Sequence, residues 1–373
     1  MKVSVVGGGN AGVLTALYLS LYLKNIELEL IYNPKIPSEP VGQGTLLKPP
    51  GLLWTSLGFN WYNNPIHATM KSGILYDGWG KLNDKVFHDF PADTMAMHYC
   101  PGEMQKYALE SGLFKVTESD VDPRDVDADY VFDCRGKPKD YSNYNIIEHP
   151  TNACIIGKPN WDLSKQYWSG HVATPDGWTF IIPSFKDFSG TVGYCYNTNI
   201  TSNEEAQKNM IEMFDVDIKN HINYKNYVVK DPIIDKRIFL NGNRLCFLEP
   251  LESTAVQTYV DVVKYFTDGT KNKFKKYSYN VINYVRKTQN FILWHYQFGS
   301  KYNTPFWNYA KSLTFKDGEF DNILNFSKNM TRREFTGIVN NLGKKYTYSQ
   351  WQPYAFKLWY DGMTKKKNDC SKM

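Results

Sequence analysis

Nowhere in the 373 residues does an apolar run reach the roughly 18–20 residues that cross a bilayer, so no helical membrane span is expected. The nearest approach follows Lys2 and ends at Leu23, the layout of a signal peptide. Three consecutive glycines break it and no small-residue cleavage site follows, which argues against export. Cysteine is scarce: Cys100, Cys134, Cys154, Cys195, Cys246 and Cys370 contain no CxxC pair and no metal-ligand spacing. Neither a disulfide framework nor a metal centre is expected, and the thiols read as reduced in a cytoplasmic protein. An internal repeat is missing, as is a linker rich enough in Pro, Gly or Ser to separate independent domains. A dominant charge is missing too. The net +5 is dispersed except for Lys365-Lys366-Lys367, which reads as a solvated tail, so no nucleic-acid stripe is expected.

What is present points to a folded, aromatic-rich chain. Apolar and charged fractions of 42% and 22% are those of a globular protein with a sizeable core. The 27 tyrosines and 10 tryptophans predict a core and clefts lined with aromatics, which suit a flat aromatic guest. Lys2–Val6 reads as a short buried strand, Ala11–Leu23 as a helix and Ile26–Tyr32 as a second strand, completing a βαβ unit. Between strand and helix lies Gly7-Gly8-Gly9-Asn10-Ala11-Gly12. Gly7 makes the tight turn, Gly9 lets backbone N–H groups approach a pyrophosphate, and Gly12 allows close packing of the helix. The helix N-terminus adds a partial positive charge there. The acidic residue that normally follows about 20 residues later to bind ribose hydroxyls is absent. Tyr32 and Asn33 stand in its place, and the Asn33 amide is the candidate substitute.

Farther along, Val41-Gly42-Gln43-Gly44-Thr45 is a glycine-rich loop, Gln105–Gly112 reads as a helix, and Tyr130–Asp133 as a strand turning at Cys134-Arg135-Gly136. A strand near Arg237–Leu240 leads to Gly242. Helices are expected over Val256–Phe266 and Tyr279–Gln297. Three segments carry candidate chemistry. Lys71 sits among small and apolar neighbours in Ala68-Thr69-Met70-Lys71-Ser72-Gly73-Ile74. Phe247-Leu248-Glu249-Pro250-Leu251-Glu252-Ser253-Thr254 packs two carboxylates beside an apolar segment, where a glutamate is costly unless paired or functional. Gly177-Trp178-Thr179-Phe180-Ile181-Ile182-Pro183 has strand period two, which puts Trp178, Phe180 and Ile182 on one face.

These segments, in this order, resemble the flavin-dependent halogenases of the tryptophan halogenase family. The likeness extends through His88 and Phe90, the Asp133-Cys134-Arg135-Gly136 turn, Phe291-Ile292-Leu293-Trp294-His295-Tyr296 and Asn303-Thr304-Pro305-Phe306-Trp307. It implies an α/β, Rossmann-like FAD-binding fold of the flavin monooxygenase type, with an inserted substrate-binding β-sheet layer and a helical C-terminal part. Residues 1–58, 100–150 and 232–270 would form the FAD-binding domain, 59–99 and 151–231 the substrate layer, and 271–373 the helical region. FAD would be held by Gly7, Gly9, Asn10, Ala11, Gly12, Asn33, Gln43, Gly44 and Gly242. A separate flavin reductase would supply it in reduced form, and halide would be the co-substrate.

The resemblance also implies roles at the acceptor end. Lys71 would deliver hypohalous acid, either as an ammonium donating a hydrogen bond or as a neutral amine that is itself halogenated. Glu252 would take the proton of the arenium intermediate or polarise the halogenating species with Lys71. Ser253 would relay or orient, and the N–H groups of Thr254 and Ala255 would hold halide. His88, Phe90, Trp178 and Phe180 would contact the arene, and Glu249 is left as a structural ion-paired residue. The chain departs from the family pattern at Gln43, where the family has glutamate, at Phe180, where it has tryptophan, and at Ala255, where it has glycine. Only six residues separate Phe90 from Met97, where tryptophan-specific members carry a long insertion. An open site for indoles, phenols or other electron-rich arenes is therefore as well supported as one for free tryptophan. An FAD monooxygenase on the same fold and a non-catalytic flavoprotein that binds a partner are the rival readings, and a homo-oligomer is left open.

Overall fold

A computed structural model describes residues 1–39, 41–82, 85–90, 96–184, 190–270, 274–330 and 347–364. The Lys365–Lys367 run, Cys370 and residues 91–95 lie outside the described residues. Two large sheets organise the chain. The first has six strands in the spatial order Ile233–Ile234, Ile238–Leu240, Tyr130–Asp133, Lys2–Val6, Glu27–Tyr32 and Lys115–Glu118. All neighbours are parallel except the outermost pair, Ile233–Ile234 with Ile238–Leu240. Its central strand runs Val3, Val5 and Val6 into the core, β-branched residues suited to a pleat buried on both faces.

The expected βαβ unit is there, with its helix at Asn10–Tyr22 and its second strand at Glu27–Tyr32. That helix is buried on most of its surface, from Asn10 through Leu17 and at Leu19, because it lies between the sheet and the helices Lys48–Leu57, Pro101–Leu109 and Thr254–Gly269. The helix expected over Gln105–Gly112 is displaced by a turn to Pro101–Leu109. Pro101 opens it, fitting the first-turn position where its missing N–H costs nothing, and Gly112 lies beyond its end at φ +70°.

The second sheet has seven strands in the order Val216–Asn223, Ala153–Pro159, Gly190–Tyr196, Gly177–Pro183, Ser169–Thr174, Gly73–Asp77 and Val86–Asp89. One face packs Ala153, Ile155, Val192 and Tyr194 against Ala206 and Met210 of the helix Asn203–Met213. The other face carries Ile74, Tyr76, Trp178 and Phe180 into an aromatic core shared with the helices Tyr277–Gln297, Pro305–Ser312, Gly318–Lys328 and Pro353–Thr364. Trp79, Trp178, Trp307 and Trp359 are all fully buried in that core. At about 25 cal/mol per Å² and roughly 150–250 Å² each, such a side chain is worth about 4–6 kcal/mol in area terms. A small three-stranded sheet, Gln43–Gly44 with Met97–Tyr99 and Thr69–Met70, ties the glycine-rich loop to the segment before Lys71. That loop is therefore partly strand rather than wholly irregular. Among the described residues no helix is long and apolar enough to cross a membrane.

Candidate active site

The strand Lys2–Val6 ends at Gly7 with φ +118°, where a Cβ would meet the Cys134 carbonyl at 2.5 Å. A Cβ on Gly12 would come within 1.7 Å of the Gly7 carbonyl oxygen, so the loop closes tightly on the helix. A Cβ on Gly9 would meet nothing within 4 Å, as fits a residue facing open space. Gly7, Gly8, Gly9, Asn10, Ala11 and Asn33 line a cavity of about 270 Å³ whose far wall includes Gln105, Arg135 and Tyr259. No side chain caps the helix at Gly9. Backbone N–H groups and the positive end of the helix thus converge on a groove, which is what a pyrophosphate requires. Gly242, at φ +64°, is not in the wall of that groove: a Cβ there would lie 2.4 Å from the Ala11 Cβ, so its role is to let the loop pack.

A second cavity, of about 730 Å³, adjoins the first at Ser38 and Glu39. Gly42, His98, Tyr99, Ile156, Ile182, Pro183 and Thr191 are among its walls. The two spaces in series fit an elongated dinucleotide, with phosphates at the glycine loop and a ring in the larger chamber. The end of the Gly177–Pro183 strand faces this chamber, while Trp178 and Phe180 are turned into the aromatic core. The Phe180 ring lies over Gly193, where a Cβ would be 2.0 Å from it, and Trp178 Nε1 is buried with no hydrogen-bond partner among the described residues.

One layer behind the chamber is Lys71. Its backbone N–H donates to the Ala96 carbonyl, and its buried Nζ donates to Ser253 Oγ at 2.8 Å and to the Thr45 carbonyl at 3.3 Å. Gly44 leaves the room: a Cβ there would sit 3.1 Å from Ser253 Oγ, 3.3 Å from Lys71 Nζ and 3.6 Å from the His98 ring. The Phe90 ring lies 5.5 Å from Nζ, and His88 meets Phe90 edge-on. Burial drives the Lys71 pKa from 10.5 down to about 7, against the opposing pull of Glu252. The ammonium and the free amine are therefore both populated near neutrality. His98 and His171, buried and close to the same amine, are pushed down in pKa and stay neutral.

Glu252 is fully buried at φ +68°, followed by Ser253 at φ +54°. Two successive left-handed residues without glycine are strained, and strain of this kind collects at functional sites. The bend has a visible result. Ser253 stands at the N-cap of the helix Thr254–Gly269, yet its hydroxyl serves Lys71 and caps nothing. That leaves the Thr254 and Ala255 N–H groups at an uncapped helix start.

The Glu252 carboxylate collects donors from four separate segments: Tyr76 OH, His295 Nε2 at 3.1 Å, His88 Nδ1 at 3.4 Å and Trp351 Nε1 at 3.1 Å. His295 faces the Phe291 carbonyl through Nδ1 at 2.7 Å as well, so it meets acceptors at both nitrogens. Burial alone would raise the Glu252 pKa. The charges and hydrogen bonds of His88 and His295 outweigh burial and hold the carboxyl well below the usual carboxylate range. Glu249 belongs elsewhere. It accepts from Tyr296 OH and, at 2.6 Å, from Thr151 Oγ1, beside His149, and has the surroundings of a structural carboxylate.

The structure thus brings Lys71, Glu252, Ser253, His88 and Phe90 together, with Gly44 beside them rather than in the nucleotide groove. Gln43 turns its amide toward the Val41 carbonyl, and Asn33 lines the groove with Oδ1 taken by the Lys35 N–H. Thr45, Tyr76, His295 and Trp351 join the site without a role assigned from sequence. Tyr76 follows Lys71 by five residues, on the strand Gly73–Asp77 that starts just after it, and that proximity is a usable signal. Nothing local marks Trp351.

The family model described as tryptophan halogenase matches residues 2–121 and 102–356 of the chain. Over 221 residues the chain is 27% identical to tryptophan 7-halogenase RebH of Lentzea aerocolonigenes, covering 54% of this chain and 41% of that protein. Tryptophan 7-halogenase KtzQ of Kutzneria sp. (strain 744) is 24% identical over 280 residues, 65% of this chain and 51% of the relative. The chain therefore spans about half the length of the curated relatives it matches. The crystal structure of the tryptophan 6-halogenase SttH from Streptomyces toxytricini superposes with a TM-score of 0.77 at 18% identity, covering 97% of this chain and 90% of that one. At that identity the likeness establishes the fold.

Proposed function

The chain belongs to the tryptophan halogenase family, and from that premise we propose that it is a flavin-dependent halogenase of electron-rich arenes, with Lys71 and Glu252 as its acceptor-end machinery. The observation that carries this reading is the buried Lys71 amine, bonded to Ser253, the residue that follows Glu252, and within the electrostatic reach of the Glu252 carboxylate, one layer behind the larger chamber.

Gly7, Gly9, Asn10 and Ala11 would hold the pyrophosphate of FAD, with Gly12 and Gly242 keeping the loop closed and Asn33 near the adenosine end. Reduced FAD, delivered by a separate reductase, would supply the two-electron activation of O2 that converts halide to hypohalous acid. The uncapped N–H groups of Thr254 and Ala255 would receive the halide. Thr45 and Ser253 occupy two of the three ammonium protons of Lys71, which leaves one N–H to donate to the oxygen of hypohalous acid.

As the arene ring attacks the halogen, that oxygen would leave as water with the proton from Lys71. Glu252 would then accept the ring proton. A carboxylate of low pKa is adequate for this, because an arenium ion regains aromaticity on losing its proton and is strongly acidic. His88 and Phe90 would orient the ring, with Trp178 and Phe180 backing the site from the aromatic core, and orientation would select the carbon that reacts.

The test is bromide dependence. Purified protein with FAD, a flavin reductase, O2 and bromide is expected to brominate an indole or phenol, with no product when bromide is omitted. An oxygenated product formed equally without halide would replace this reading with a monooxygenase.

A further inference from the structure

The nucleotide groove lacks an acidic side chain where the second strand ends. The two residues there are committed elsewhere: Tyr32 OH donates to Glu118 at 3.0 Å, and Asn33 Oδ1 accepts from its own turn at 2.9 Å. A carboxylate enters the groove farther along the chain. Among the described residues, Glu39 and Ser38 alone line both cavities. Glu39 is solvent-accessible and faces the cavity space.

One of its oxygens, Oε2, accepts from Asn10 Nδ2 at 2.5 Å. Asn10 is fixed in that orientation because its Oδ1 accepts from Tyr99 OH at 3.0 Å. Oε1 accepts nothing among the described residues, and no cation helps to stabilise the charge. Oε1 is thus an open acceptor at the cavity wall, placed to take a hydrogen bond from a ligand hydroxyl.

On the FAD reading above, we infer that Glu39 is the hydroxyl-binding carboxylate of the cofactor site, its free Oε1 accepting from an –OH of the ribityl chain that runs between pyrophosphate and flavin ring. Its place at the neck between the two cavities is what selects the ribityl hydroxyls over those of the adenosine ribose, which belongs deeper in the groove beside Asn33. Asn10 serves two ends at once. Its backbone starts the helix under the phosphates, and its side chain aims Glu39.

The experiment measures oxidised FAD binding by flavin fluorescence quenching, and ADP binding by competition, in the wild type, Glu39→Ala and Glu39→Gln. Circular dichroism confirms that each variant is folded. Glu39→Ala is expected to weaken FAD binding by about tenfold to a hundredfold, the range of a hydrogen bond to a charged group, with ADP affinity unchanged. Glu39→Gln keeps an acceptor oxygen and is expected to recover most of the loss. Equal or tighter FAD binding by Glu39→Ala would overturn the inference, since the carboxylate would then only repel phosphate. An equal loss for ADP would overturn the ribityl assignment. A wild type that binds no FAD would sink the flavin reading itself.

Discussion

At the residue scale, Lys71 is a charge kept where it is costly to keep. Its native pKa of about 7 lies below the ordinary 10.5. Between those values the unfolded chain binds the extra proton and the native state does not, so stability rises with pH across that window and is lowest below about pH 7. Lys71→Met, which fits the volume and drops the charge, is expected to raise the thermal midpoint by roughly a few degrees at pH 6.5. The gain should shrink toward pH 10, and scanning calorimetry across that range would check it. A midpoint that is lower than wild type at every pH would contradict a desolvated amine. The ammonium mechanism adds a kinetic expectation: bromination under saturating FAD falls as pH rises through about 7, and a rate that climbs through the same range would assign the free amine instead.

At the scale of elements, the site is made by close passages that only glycine permits. Gly44→Ala puts a methyl group 3.1 Å from Ser253 Oγ and 3.3 Å from Lys71 Nζ. We expect it to shift the amine and cut bromination by about tenfold or more at unchanged FAD affinity, a split that steady-state rates and fluorescence titration would reveal. Gly193→Ala drives a Cβ into the Phe180 ring at 2.0 Å. That overpacking should cost about 1–3 kcal/mol, read as a lower denaturant midpoint, and an unchanged midpoint would show that the ring does not lie over Gly193.

These elements differ in how far sequence reveals them. Period and glycine spacing mark the βαβ unit and the Gly177–Pro183 strand, since those patterns are local. The helix at Pro101–Leu109 lies a turn before the expected one because its start is set by a proline, whereas the polar run after it carries the stronger helical pattern. The conversion of Gln43–Gly44 into strand depends on Met97–Tyr99, a partner more than 50 residues away.

Across the whole molecule, the catalytic reading rests on segments that meet only in three dimensions. Lys71, Ser253, Thr45 and His98 come together through the small three-stranded sheet, while Glu252 is held by donors from the seven-stranded sheet, the helix Tyr277–Gln297 and Trp351. Motif order singles out Lys71 and Glu252 as candidates. It gives no hint of the donor shell, because an aromatic or histidine in a buried helix looks the same in sequence whether it packs or donates. Nor does it reveal Glu39, whose meaning comes from a neck between two cavities. The central claim is that the oxidant is spent at Lys71 and not at the flavin. Its most direct test compares bromide-dependent arene bromination in wild type and Lys71→Ala at matched FAD occupancy. We predict a loss of at least about a hundredfold with flavin binding intact; a variant that brominates the arene at the wild-type rate would contradict the account.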